Sequence, residues 1–330
     1  MERRVKKIIK TFSIPVCVFL FFSILLFSQG TTLFNTANHY RTFINAFVVT
    51  TFIAWALNLN LSTGRFDFSL GSISLLSSIL GVKVMWFLES IGWRMNGWYM
   101  LIVIALFGAL FGMISGLTYV LLKIPPIVTS LGMTLIYEAL GFIATEGGGV
   151  VLNRTLHLSK IGSMENQLII LLIGFVAIYV ISNMTTFGFN WKTLVSGQKI
   201  AVDTGISEKK NAVISYTLSG VFASVAGCFT MSIQGTASAS LNFGTISTIF
   251  VAFLPLFIGG FIGRFSEEKF GILLGSFTTA LITLGFVRLN VSAQMQSFWN
   301  AIILLAFLIY LNNEYKILSF LSKRITLNNK

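Results

Sequence analysis

The sequence predicts an all-α polytopic membrane protein. About ten membrane-spanning helices are expected, arranged as two pseudo-symmetric halves with both termini in the cytoplasm. Three observations predict this. The 330 residues are 55% hydrophobic and only 10% charged, whereas soluble domains are roughly 25% charged. Apolar runs of spanning length recur along the whole chain. The Lys and Arg residues then fall unevenly between the two sets of loops that these runs define.

A spanning helix needs ~20 mostly apolar residues. Runs of about that length lie near 12–28, 43–59, 67–88, 98–121, 126–145, 166–182, 211–232, 246–262, 270–288 and 297–313. The basic opening MERRVKKIIK followed by IPVCVFLFFSILLFS imitates a signal peptide. SQGTTLF follows in place of a small-residue cleavage pattern, so a retained first span is expected. The runs 43–59, 67–88 and 126–145 carry polar residues or a double proline, which makes them candidates for broken or tilted helices. With the N-terminus inside, seventeen of the 23 Lys and Arg residues fall on the inner side. Arg41, Lys83, Arg94, Arg154, Lys160 and Arg288 fall on the outer side, a bias that places both ends inside. The chain then reads as one transmembrane domain over 1–330, with basic tails at 1–11 and 314–330 and an inner loop at 185–210. Leu131-Gly132 with Leu140-Gly141-Phe142 is echoed by Leu274-Gly275 with Leu284-Gly285-Phe286. That echo fits a five-plus-five duplication, although chance Leu-Gly recurrence explains it equally well.

The net charge of +12 is accounted for by loop charge that orients the spans, so no nucleic-acid partner is expected. Cys17, Cys228, His39 and His157 show no metal-ligand spacing and are expected to pack. No Ser/His/Asp constellation is present, so no enzyme activity is expected of this chain. The nucleotide-binding pattern G-x-x-x-x-G-K-[ST] is absent, and no Gly-Lys step occurs at all.

Four segments carry chemistry. In Asn60 to Gly71, NLSTGRFDFSLG, Asp67 stands where an apolar run begins. A carboxylate at that depth costs ~2.5–3.5 kcal/mol unless protein or water faces it. Either Asp67 and Ser69 line a permeation path beside a kinked helix, or Asp67 caps the helix that Phe68 starts. In Lys123 to Gly132, KIPPIVTSLG, the double proline ends one helix and pre-sets the next. Thr129 and Ser130 can bond the carbonyls freed there, and Glu138, two turns deeper, either lines a cavity or makes an interhelical hydrogen bond. Thr145 to Gly149, TEGGG, reads as a flexible outer loop or an outer contact. Thr185 to Lys210 is the longest polar stretch between the apolar runs. Within it Trp191, Leu194, Val195 and Ile200 have the spacing of a short amphipathic helix, either a knob for another protein's groove or a loop pinned to the membrane by its lysines.

At these residues the sequence resembles the permease subunits of bacterial ABC importers of the ribose/galactose type, within the branched-chain amino-acid/sugar permease superfamily. Their G-I-D-L-S-V-G segment corresponds to Arg65-Phe-Asp-Phe-Ser-Leu-Gly71, and their P-x-F-I-A-T-L-G to Pro125 through Gly132. Their T-x-F-G and S-G-I steps correspond to Thr185 through Gly188 and Thr204-Gly205-Ile206, and L-S-G-x-x-A-x-x-A-G to Leu218 through Gly227. The resemblance runs from about residue 43 to 311. The chain departs from the pattern at Arg65, where glycine is usual, at Gly197, where asparagine is usual, and in the stretch after Gly260.

The resemblance implies a bacterial inner-membrane permease for a small polar solute, a monosaccharide before a nucleoside or an autoinducer-like sugar. It implies a cytoplasmic ATPase partner that carries the ATP and Mg, an extracytoplasmic solute-binding protein, and a second copy or a paralogous permease. It also implies a coupling helix over Asn190–Ile206, with contacts at Trp191, Leu194, Gly197, Ala201, Thr204, Gly205 and Ile206. The translocation path is expected at Asp67, Ser69, Thr129, Ser130 and Glu138, with no metal. The competing expectations are an ion-driven transporter using Asp67 and Glu138 and a non-transport scaffold. Breaks at Gly64 and Pro125-Pro126 argue against the scaffold.

Overall fold

The computed structural model describes residues 2–152 and 156–328, and the side chains of 5–152 and 157–314. Arg154 and Lys330 lie outside the described residues, as do the side chains of Arg3, Arg4, Lys316, Lys323 and Arg324.

The helices are α1 (Glu2–Phe27), α2 (Ala37–Leu61), α3 (Leu70–Ser90), α4 (Gly97–Leu122), α5 (Pro126–Ala144), α6 (Leu156–Ser159), α7 (Met164–Met184), α8 (Thr186–Ser196), α9 (Gln198–Asp203), α10 (Glu208–Gln234), α11 (Ile246–Phe250), α12 (Phe253–Gly263), α13 (Glu268–Arg288) and α14 (Ala293–Asn328). Two short strands, β1 (Val150–Val151) and β2 (Thr236–Ala237), pair antiparallel and tie two turns at one end of the bundle. Among the described residues, ten helical segments are long and apolar enough to cross a membrane, with α11 and α12 together forming one of them.

Local chemistry sets several ends. The Asn96 side chain accepts from the Trp98 and Tyr99 amides and caps α4. Lys123 takes a left-handed conformation at the end of α4, and Pro126 opens α5 at its first turn, as the double proline predicts. Ser163 and Ser207 cap α7 and α10.

The three runs expected to be weak form the unbroken helices α2, α3 and α5. The breaks expected inside spans lie outside them: Gly64 is in the turn between α2 and α3, and Pro125-Pro126 forms the cap and first residue of α5. The interrupted span is 246–262, where Val251 and Ala252 separate α11 from α12. Pro255 is the physical cause: it has no N–H for the helix ladder and its ring crowds the carbonyl four residues back, at Val251.

The packing repeats for four of the five spans in each half, while α1 packs on α13 and α7 on α2. Spans α2, α3, α4 and α5 correspond to α10, α11–α12, α13 and α14 under a five-span offset. α2 packs on α13 as α10 packs on α4, α3 on α4 as α12 on α13, and α3 on α5 as α12 on α14; α10 packs on α3 as α2 on α12. The α2–α10 contact sits at the centre of this arrangement. α4 and α10 meet backbone to backbone: a methyl at Gly220 would lie 2.1 Å from the Gly108 carbonyl oxygen. The main core gathers Trp55, Phe52, Phe222 and Phe229 between α2 and α10.

Candidate functional site

The polar stretch 185–210 folds into two helices rather than one. Thr185 turns the chain out of α7 and accepts from the Gly188 amide at 3.1 Å, which starts α8. α8 and α9 meet at Gly197, whose backbone is extended (φ 175°). Gly205 has φ +92°, and its amide bonds to the Val202 carbonyl at 2.9 Å, turning the chain toward α10.

The expected coupling residues divide into two faces. Trp191, Leu194 and Ala201 are buried against the bundle. Thr204 and Gly205 are exposed, while Gly197 and Ile206 are half-buried. The outward apolar side chains are Ile200, 70% exposed, and Val202, 45% exposed, on α9, with Phe189 and Val195 also exposed on α8. Val195 and Ile200 belong to the amphipathic pattern; Phe189 and Val202 do not, although each lies two residues from a member of it.

Beneath α8 the contacts are specific. The Trp191 indole donates to the Leu59 carbonyl at 2.8 Å, near the end of α2. The Lys269 ammonium lies 4.0 Å from the centre of the Trp191 ring and donates to Asn58 Oδ1 at 3.1 Å. Asn58 in turn donates to Glu268 Oε1 at 2.6 Å. Asn183 donates to Glu267, and Lys192 to Asn183. α8 is therefore fastened to the end of α2 and the start of α13. Lys269 and Asn58 were not singled out from the sequence, though polar groups at the ends of apolar runs are the available signal.

The turn between α2 and α3 holds Asp67 fully buried. It does not cap α3; the cap position is Ser69. Asp67 Oδ1 accepts from the Ser69 amide at 2.9 Å and its hydroxyl at 2.6 Å, and Oδ2 accepts from Asn60 Nδ2 at 3.2 Å. Burial pushes the Asp67 carboxyl up to about 6, against the pull of these three donors. Ser69 approaches Ser115, and Ser115 bonds Tyr137 OH at 3.0 Å. Ser130 reaches the Phe66 carbonyl at 3.5 Å and its own helix at Ile127. Asp67, Ser69 and Ser130 thus converge on one turn, while Thr129 bonds only within its own helix, to the Pro125 carbonyl. Arg65, also buried, has one distant partner, Glu208 at 3.8 Å, and desolvation lowers its pKa.

Glu138 stands apart from that cluster. Its Oε1 accepts from the Thr245 amide at 2.9 Å and hydroxyl at 2.7 Å, and its Oε2 from the Phe243 amide at 2.9 Å. This fixes the segment between β2 and α11, which runs inward along α3. A methyl at Gly71 would meet the Thr245 carbonyl oxygen at 2.2 Å, so only glycine admits this segment so close. Between α3, α10 and this segment lies an open cavity of ≈ 280 Å³ lined by other residues than the five expected for the path, including Ser74, Thr230, Gln234 and Ser240.

The family model described as branched-chain amino acid transport system / permease component matches residues 40–311. The chain is similar to the autoinducer 2 import system permease protein LsrC of Photorhabdus luminescens, 28% identical over 276 residues, covering 78% of this chain and 77% of that protein. It is also similar to the fructose import permease protein FruF of Bifidobacterium longum, 25% identical over 268 residues, covering 77% of this chain and 71% of that protein. No solved structure matches the chain.

Proposed function

We propose, from the premise that the chain belongs to the branched-chain amino acid transport system permease family, that it is the membrane-spanning subunit of an ABC importer for a small polar solute. A separate ATPase carrying ATP and Mg drives it, an extracytoplasmic binding protein delivers the solute, and a second permease completes the path. The α8–α9 end faces the cytoplasm, in keeping with the basic residues on that side.

The observation that carries this reading is the fastening of α8. Trp191 and Lys269 join it to α2 and α13, and both of those helices take part in the pairing of the two halves. A push on the outward apolar pair Ile200 and Val202 is thereby delivered to the spans as rigid-body motion. The buried residues Trp191, Leu194 and Ala201 anchor the element, and Thr204, Gly205 and Ile206 complete the surface an ATPase groove receives. Asp67 with Ser69, and Ser130 and Thr129 at the opening of α5, frame the inner end of the path. The import-system names of the relatives support the same direction of transport.

Replacing Ile200 and Val202 together with Asp is expected to abolish co-purification of the ATPase and solute uptake, with the thermal midpoint of the chain unchanged. Retention of both ATPase association and uptake would sink the coupling assignment; the same holds for Asp at Gly205 and Ile206.

A further inference from the structure

The cavity between α3, α10 and the segment 238–245 has a definite chemistry. Its ≈ 280 Å³ lies just below the ~300–1,000 Å³ typical of small-molecule sites. Ser74, Ser78, Thr230, Ser240 and Gln234 line it, with the Ser78 and Thr230 hydroxyls donating to carbonyls of their own helices and keeping lone pairs to accept, and no lining residue is charged. An ion entering would shed water and meet no countercharge. A neutral, hydroxyl-rich molecule would exchange water for donors and acceptors of its own kind. The larger cleft at the same end of the bundle, ≈ 530 Å³, has the opposite character, with Arg41, Lys160 and Glu165 on its wall.

One wall of the uncharged cavity is held under strain. Asn242 and Phe243 are both left-handed, at φ 57° and 65°, a conformation uncommon for any side chain and a real outlier for a bulky one. The buried Glu138 carboxylate binds the amides of Phe243 and Thr245 and the Thr245 hydroxyl. Gly71 receives the Thr245 carbonyl from the other side. Glu138 does not line the cavity; it acts through this backbone.

We propose that this cavity is the solute site of the translocation path, that it takes a neutral polyhydroxylated molecule of about one sugar ring, and that Glu138 is the positioning residue that holds its wall. The proposal rests on the permease reading above and adds to it where the solute sits and what chemistry it has.

The test is thiol labelling of the full chain in its membrane, with Cys17→Ala and Cys228→Ala as background. Thr230→Cys reports on the cavity, Ser240→Cys on its wall, and Ser292→Cys, exposed in the turn between α13 and α14, is the reference. Neutral, cationic and anionic methanethiosulfonates of matched size are the probes. Relative to the reference, the neutral reagent is expected to label Thr230→Cys at least ~10-fold faster than either charged one, given the cost of an unpaired ion at that depth. Equal rates for charged and neutral reagents, or no labelling at all, would overturn the site and its solute class. Glu138→Gln is expected to change labelling of Ser240→Cys by ~10-fold, the scale of a lost buried hydrogen bond to a charged group, with Ser292→Cys unchanged. Gly71→Val, which displaces the same segment from the opposite face, is expected to do likewise. An unchanged rate at Ser240→Cys in both variants would remove Glu138 from the role. None of these rates needs the ATPase, so a chain that labels as described yet fails to transport counts against the importer reading and leaves the cavity standing.

Discussion

Asp67 shows how burial and hydrogen bonding compete at one residue. Three donors favour its ionised form, and complete burial disfavours it more, leaving a pKa of about 6 against 3.8 for an ordinary aspartate. Above pH 6 the ionised group therefore costs folding free energy. As the pH falls from 6 toward 3.8 the folded chain takes up a proton that the unfolded chain does not, and stability rises by on the order of 3 kcal/mol, levelling below that window. Thermal midpoints of the detergent-solubilised chain measured across pH 4 to 7 are expected to show this rise, and Asp67→Asn is expected to remove it; a wild-type profile as flat as the variant's would contradict the account. The sequence marked Asp67 and Glu138 as the carboxylates at membrane depth, because such groups are too costly to leave without a partner. It did not reveal their partners. Those of Glu138 are two backbone amides and one threonine hydroxyl more than a hundred residues away, and a backbone amide leaves no mark on residue type.

At the scale of elements, helices were legible where apolar runs are long and caps are standard, as at Asn96 and Pro126. The interruption between α11 and α12 was legible in principle from Pro255, yet the more polar runs drew suspicion first. Polar side chains on α2 and α3 reflect burial inside the bundle rather than breakage: Asn58, Asn60, Ser72 and Ser77 are all buried within continuous helices. The α8–α9 pair was legible as an amphipathic element but not in its orientation, which depends on Lys269 arriving from α13. Trp191 is the centre of that junction, so Trp191→Ala is expected to cost about 3 kcal/mol through lost packing, seen as a lower thermal midpoint. Trp191→Phe keeps a ring beneath Lys269 and loses the bond to the Leu59 carbonyl, costing about 1 kcal/mol. Equal midpoints for the two variants would show that the indole packing does not hold α8 to the bundle.

At the scale of the whole molecule, composition and charge sufficed for a polytopic membrane protein, whereas the Leu-Gly echo joins α5 to α13 and so misses the five-span offset under which contacts among α2–α5 recur among α10–α14. The difference is physical: glycines and small residues at helix crossings preserve packing geometry while the lipid-facing positions vary freely. The proposal that the energy source lies in another subunit rests on the fastening of α8 to α2 and α13. Uptake of radiolabelled neutral sugars into cells expressing the chain with its ATPase and binding protein tests this claim most directly. Uptake should stop when ATP is depleted by arsenate and persist when a protonophore collapses the ion gradient; uptake that survives ATP depletion and fails with the protonophore would contradict it.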